Sequence, residues 1–144
     1  MEQPKNEVKT TLQAKKIILP TNRGLIKCIF LSIITIGIYA FVFNHKYSRD
    51  LNVIRKAYNN KTKMGFIAAF FLGFVTLEIT MIVWTISMVI DTYKYADREN
   101  VSSGSPALYF VFTILLSWTI VCPFIAEHKL YKTMNNICKV YNSK

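Results

Sequence analysis

Glu78 is the residue whose setting most invites a chemical reading. It lies near the middle of 64–90, a long run that is otherwise uncharged. An ionised carboxylate at bilayer depth costs about 2.5 kcal/mol or more, so this side chain is expected to face another helix and to carry a proton. Thr113 and Ser117, at comparable depth in a later apolar run, are the hydroxyls that would bond it. Two chemistries compete for the residue. One is a helix contact worth about 0.6–2 kcal/mol, within the chain or in self-association; the other is a proton or cation site in a conducting path. A single acid with no basic partner at its depth favours the contact.

Other residue patterns carry less chemistry. His45 and His128 each precede a lysine at the end of an apolar run. A metal would need both to converge with further ligands, and no spacing supplies these, so they read as interfacial residues. The nucleophile elbow, phosphate loop, zinc-protease motif and paired carboxylates are all missing from the sequence, which leaves no expectation of a catalytic residue, cofactor or metal. Thr35, Gly37 and Tyr39 form a bend or packing element: Gly37 permits a kink or the close approach of a partner helix, Thr35 takes up a freed carbonyl, and Tyr39 sits at an interface.

The elements that would hold these residues are three apolar runs, 24–43 (interrupted by Lys27), 64–90 and 107–126. Each approaches or exceeds the ~20 residues a helix needs to cross a hydrocarbon core, and none offers the polar face that a soluble bundle requires. The predicted fold is an all-α integral membrane protein with three membrane-inserted helical segments, the first either spanning or re-entrant. Ser105 and Pro106 are placed to cap and start the third segment. Residues 1–23 read as a mobile polar tail without a signal-peptide cleavage pattern, and 24–144 as one membrane domain.

Two cationic amphipathic helices are expected at 44–59 and 127–142. In the first, Tyr47, Leu51, Ile54 and Tyr58 form one stripe of helical period, with Lys46, Arg49 and Lys56 roughly opposite and Arg55 beside them. At an offset of 83 the design returns: His45-Lys46 as His128-Lys129, Asn52 as Asn135, Lys56 as Lys139 and Tyr58-Asn59 as Tyr141-Asn142. The second basic face is Lys129, Lys132 and Lys139. The chain thus duplicates a unit of membrane segment plus interfacial helix. A weaker echo, Lys94-Tyr95 with Asn100-Val101, loses the stripe at Glu99 and is not counted.

The net charge of +10, from 18 basic against 8 acidic residues, is concentrated beside apolar runs. That points to anionic lipid headgroups and away from nucleic acid. A re-entrant first segment would gather nearly all the basic residues on one face, which places both amphipathic helices and the C-terminus in the cytoplasm of a multi-pass protein of the cell membrane. Cys28, Cys122 and Cys138 form no CxxC pair and read as free thiols.

LSIITIGIY at Leu31–Tyr39, KYSRDLN at Lys46–Asn52, and the hydrophobic segment closing on Leu130–Asn136 together resemble the bacterial domain-of-unknown-function family 4234. The resemblance runs from about Thr21 to Asn142. It departs from the family pattern at Val42-Phe43, where Tyr-Trp is usual. It implies a small integral membrane protein and no activity. The expected function is a small non-catalytic membrane protein binding anionic lipid and a membrane partner or itself; the alternative is a small transporter or channel subunit using Glu78.

Overall fold

The first two apolar runs break in their middles, and the breaks decide the fold. A computed structural model describes residues 17–116, 119 and 121–144, and among these all regular structure is helical. The helices are α1 (Leu25–Ile34), α2 (Ile38–Ala57), α3 (Phe66–Val75), α4 (Ile79–Arg98), α5 (Pro106–Phe110), continued by a π-helical turn Val111–Leu115, and α6 (Val121–Ser143). The expected tail at 1–23 lies outside the described residues up to position 16.

Between α1 and α2, Ile36 and Gly37 have φ of 51° and 85°; between α3 and α4, Leu77 and Glu78 have φ of 48° and 71°. Successive left-handed residues end a helix of L-amino acids. Both turns are closed alike. Thr35 and Thr76 donate to the carbonyls of Leu31 and Leu72, at 2.7 and 2.9 Å, and accept from the N–H groups of Tyr39 and Thr80, at 2.9 and 3.2 Å. The N–H groups of Gly37 and Glu78 reach back to Ser32 and Gly73, each at 2.7 Å.

The expectation of three membrane-inserted segments is corrected by these breaks. Among the described residues no helix is long and apolar enough to cross a membrane. A hydropathy count along 24–43 or 64–90 cannot register two residues that turn left-handed in mid-run. The separate interfacial helices also disappear: 44–59 is mostly the later part of α2 and 127–142 the later part of α6. Their stripe of Tyr47, Leu51 and Ile54 is buried in the core.

Each pair of helices folds back as a hairpin. In the second, the rings of Phe66 and Trp84 lie 5.2 Å apart, Trp84 Nε1 donates to the carbonyl of Met64 at 3.2 Å, and Lys63 Nζ donates to Ser87 at 2.8 Å. Ser105 accepts from the Leu108 N–H and Pro106 opens α5, as the sequence predicts.

The middle hairpin is a third copy of the unit. α1 and α3 start 41 residues apart, as do α2 and α4, and α6 starts 42 residues after α4. In that register Asp50, Asp91 and Thr133 are equivalent, as are Leu51, Thr92 and Met134, and Arg55, Ala96 and Cys138; all nine are buried. The long helix of each unit packs on the short helix of the next, α2 on α3, α4 on α5 and α6 on α1, so the three hairpins close into a ring. The core fills the polar end of this ring. At the other end the turns are bare, with Ile36 94% and Leu77 86% exposed.

Candidate functional site

The buried charges at the polar end are structural. Asp50 receives Arg23 Nη2 at 2.5 Å and Arg49 Nη2 at 3.1 Å. Asp91 receives Lys63 at 2.7 Å and a fork of the Arg55 guanidinium. At the third equivalent place Thr133 and Ser103 share a hydroxyl bond of 2.6 Å. Arg23, Lys63 and Ser103 each precede a hairpin and reach the long helix of that hairpin, whereas Arg55 joins α2 to α4 and Arg49 pairs within α2. Side-chain amides add clamps: Asn52 exchanges two bonds with the main chain of Lys63, and Asn135 does the same with Arg23. Arg55, expected at lipid headgroups, is therefore held inside the protein.

The other expected headgroup residues divide by height. Lys46, Arg49, Lys132, Lys56 and Lys139 are exposed, while Lys129 is half-buried with its Nζ 6.0 Å from the ring centre of Phe112. Lys46 lies nine residues beyond Gly37, Lys129 is its equivalent in α6, and exposed Lys27 lies ten residues before Gly37 on the antiparallel helix. At 1.5 Å per residue Lys27 and Lys46 stand about 13–15 Å below the Ile36-Gly37 turn, and Lys129 shares the register of Lys46. Lys56 and Lys139 sit a further ten residues away, at the polar end.

Around the turns the surface is apolar, with Phe30, Ile33, Phe71, Phe74, Val75 and Ile114 exposed. Glu78 occupies the second turn itself, exposed, where the sequence placed it in a helix interior. The Thr113 hydroxyl donates to the Tyr109 carbonyl, and Ser117 lies outside the described residues, so the expected Glu78 contact is not what occupies Thr113. Gly37 and Thr35 form the bend, and the half-buried Tyr39 ring lies 6.3 Å from Phe43. His45 is half-buried, with its Nδ1 lacking a hydrogen-bond partner, and His128 is exposed. Cys28 and Cys138 are buried free thiols and Cys122 is half-buried.

A cavity of about 200 Å³ lies where the three units meet, lined from α2, α3, α4, α5 and α6. Asn44, Thr85 and Glu127 occupy equivalent positions of the three long helices and all three line it. The Tyr109 hydroxyl donates to Glu127 at 2.6 Å. Burial, and then the nearby Glu127 carboxylate, push the phenols of Tyr109 and Tyr131 above their ordinary range, so both remain protonated donors. Tyr47, Phe66, Trp84, Met81 and Met88 complete the wall. The sequence reading missed this cluster. Its signal was the 83-residue offset, which pairs Asn44 with Glu127, but Thr85 becomes visible only in the 41-residue register.

Among the described residues, fold and site together define an all-helical arrangement of three equivalent hairpins, with a polar closed end, an apolar open end and an axial cavity. Residues 23–91 match the model of the family described as Domain of unknown function (DUF4234), and over that stretch the chain resembles this family. The match covers the first hairpin and most of the second, just under half of the chain, and stops at Asp91, short of the wider extent read from the motifs. No curated protein and no solved structure matches the chain.

Proposed function

We propose that this is a non-catalytic protein that engages an anionic lipid surface from one side, with the bare hairpin turns towards the lipid. The observation that carries this reading is the shared height of Lys27, Lys46 and Lys129 beneath the exposed apolar turns. With apolar turns dipped about 5–10 Å into the interface, a basic belt about 13–15 Å behind their tips lies within a Debye length of the headgroups, and the two together form the two-part attraction of an interfacial protein. Glu78 at a turn keeps the engagement shallow, since its charge is costly at greater depth. The cytoplasmic face of the cell membrane, where anionic lipid is concentrated, is the surface that this pattern fits.

Vesicle flotation tests the reading. Binding to vesicles containing phosphatidylglycerol should exceed binding to pure phosphatidylcholine and weaken as salt shortens the Debye length. Replacing Lys27, Lys46 and Lys129 together by Gln should cost about 3 kcal/mol, at about 1 kcal/mol per lysine. Equal flotation on both vesicle types, unaffected by salt, would overturn the proposal.

A further inference from the structure

We propose that the axial cavity is a binding site for a small organic ammonium group. Among the described residues its only formal charge is the carboxylate of Glu127, which joins no salt bridge among them, although the chain carries a net charge of +10. No lysine or arginine among the described residues lines the cavity. Tyr109 donates to the carboxylate at 2.6 Å and Tyr131 also hydrogen-bonds it, which occupies two of its roughly four lone-pair sites and leaves the others open. The indole of Trp84 and the phenols of Tyr109 and Tyr131 add ring faces, which attract an ammonium through the ring quadrupole.

Size and access agree. A space of about 200 Å³ admits a trimethylammonium group with a short substituent and excludes a folded peptide. Asn44, Thr85, Glu127 and Tyr131 are each only half-buried, so the cavity is not sealed. The three equivalent positions are chemically unlike, Asn, Thr and Glu, and only one carries charge. A purely structural axis has no need of that asymmetry. The ammonium could arrive free or as the headgroup of a choline lipid, and the chemistry recognised is the same.

Isothermal titration of the full chain in maltoside micelles with choline chloride is the test, with the uncharged isostere 3,3-dimethylbutanol as control. Choline should bind saturably and the isostere at least tenfold more weakly. Glu127→Gln should weaken choline at least tenfold while the helical circular dichroism is kept. Should that variant unfold, Thr85→Leu, which fills the space and leaves the carboxylate, should also abolish binding. A second arm replaces choline with short-chain phosphatidylcholine: binding of the lipid alone assigns the site to a headgroup, and binding of free choline assigns it to a soluble cation. Binding of neither, or equal choline affinity in the wild type and a folded Glu127→Gln or Thr85→Leu variant, would overturn the proposal.

Discussion

Asn52 and Asn135, 83 residues apart, perform the same act on different linkers. Asn52 takes the N–H of Lys63 at 3.0 Å and gives to its carbonyl at 2.9 Å; Asn135 takes the N–H of Arg23 at 3.1 Å and gives to its carbonyl at 2.8 Å. The first clamp holds unit one to unit two, and the second holds unit three back to unit one. The ring is closed by a side chain that reads as a generic polar residue on an amphipathic helix.

Asn135→Ala removes both bonds at the point where the ring closes and leaves backbone groups of Arg23 without their partner. The expected loss is about 1–3 kcal/mol. Asn52→Ala, at a more exposed clamp, should cost less. Thermal melting followed by circular dichroism orders the two variants, and a larger loss for Asn52→Ala would contradict closure of the ring at Asn135.

The Arg55–Asp91 pair is buried on both sides. Arg55→Met strands Asp91 with only the half-exposed Lys63, and Asp91→Leu strands Arg55. Each should destabilise by about 3–5 kcal/mol. Arg55→Met combined with Asp91→Leu removes both charges, and its loss should be well below the sum of the singles. A double-mutant cycle on melting data measures this, and additive losses would show the pair to be uncoupled.

Where α1, α3 and α5 begin was legible because apolar runs and turn residues are local signals, with Ser105-Pro106 at the start of α5 the clearest case, but the expected segment ends at 43, 90 and 126 fall inside α2, α4 and α6. The breaks were half legible: Thr35-Ile36-Gly37 showed a bend, whereas Thr76-Leu77-Glu78 has no glycine, and Leu77 and Glu78 take up left-handed strain that no propensity predicts. That second break hid the 41-residue register, since the middle unit keeps Thr35, Ile38, Asp50 and Asn59 as Thr76, Ile79, Asp91 and Asn100 but little of the basic face. With the register hidden, Asp50, Asp91 and Thr133 could not be aligned and the axial residues Asn44, Thr85 and Glu127 could not be gathered. Arg55 was misplaced for a related reason: its partner Asp91 comes from another unit.

Thiol reactivity should separate the three cysteines. Burial raises the pKa of Cys28 and Cys138, the second despite the opposing Arg23, whose Nη1 lies 3.3 Å from its sulfur. Less thiolate at a given pH and less access both slow attack. Maleimide should modify half-buried Cys122 first at neutral pH, with Cys28 and Cys138 following on denaturation. Rapid labelling of Cys138 in the folded protein would contradict the closed polar end.

The turns should show stability and lipid binding moving in opposite directions. Ile36 and Leu77 hold φ of 51° and 48°, a conformation that costs an L side chain roughly 1–2 kcal/mol and a β-branched one most. Asparagine tolerates that region. Ile36→Asn and Leu77→Asn should therefore leave the melting temperature unchanged or raise it, and an apolar contact worth about 1.5–3 kcal/mol per fully buried side chain is lost wherever the turn enters lipid. Vesicle affinity should fall by about tenfold or more in each variant. Gly37→Ala tests the converse. At φ 85° the added Cβ meets no neighbouring atom but strains the backbone, so stability should drop by about 1 kcal/mol or more with vesicle affinity kept. Melting and flotation on the same three proteins separate the two effects. If Ile36→Asn and Leu77→Asn kept full vesicle affinity, the turns would not be the lipid-facing surface, and the basic belt beneath them would need a different partner.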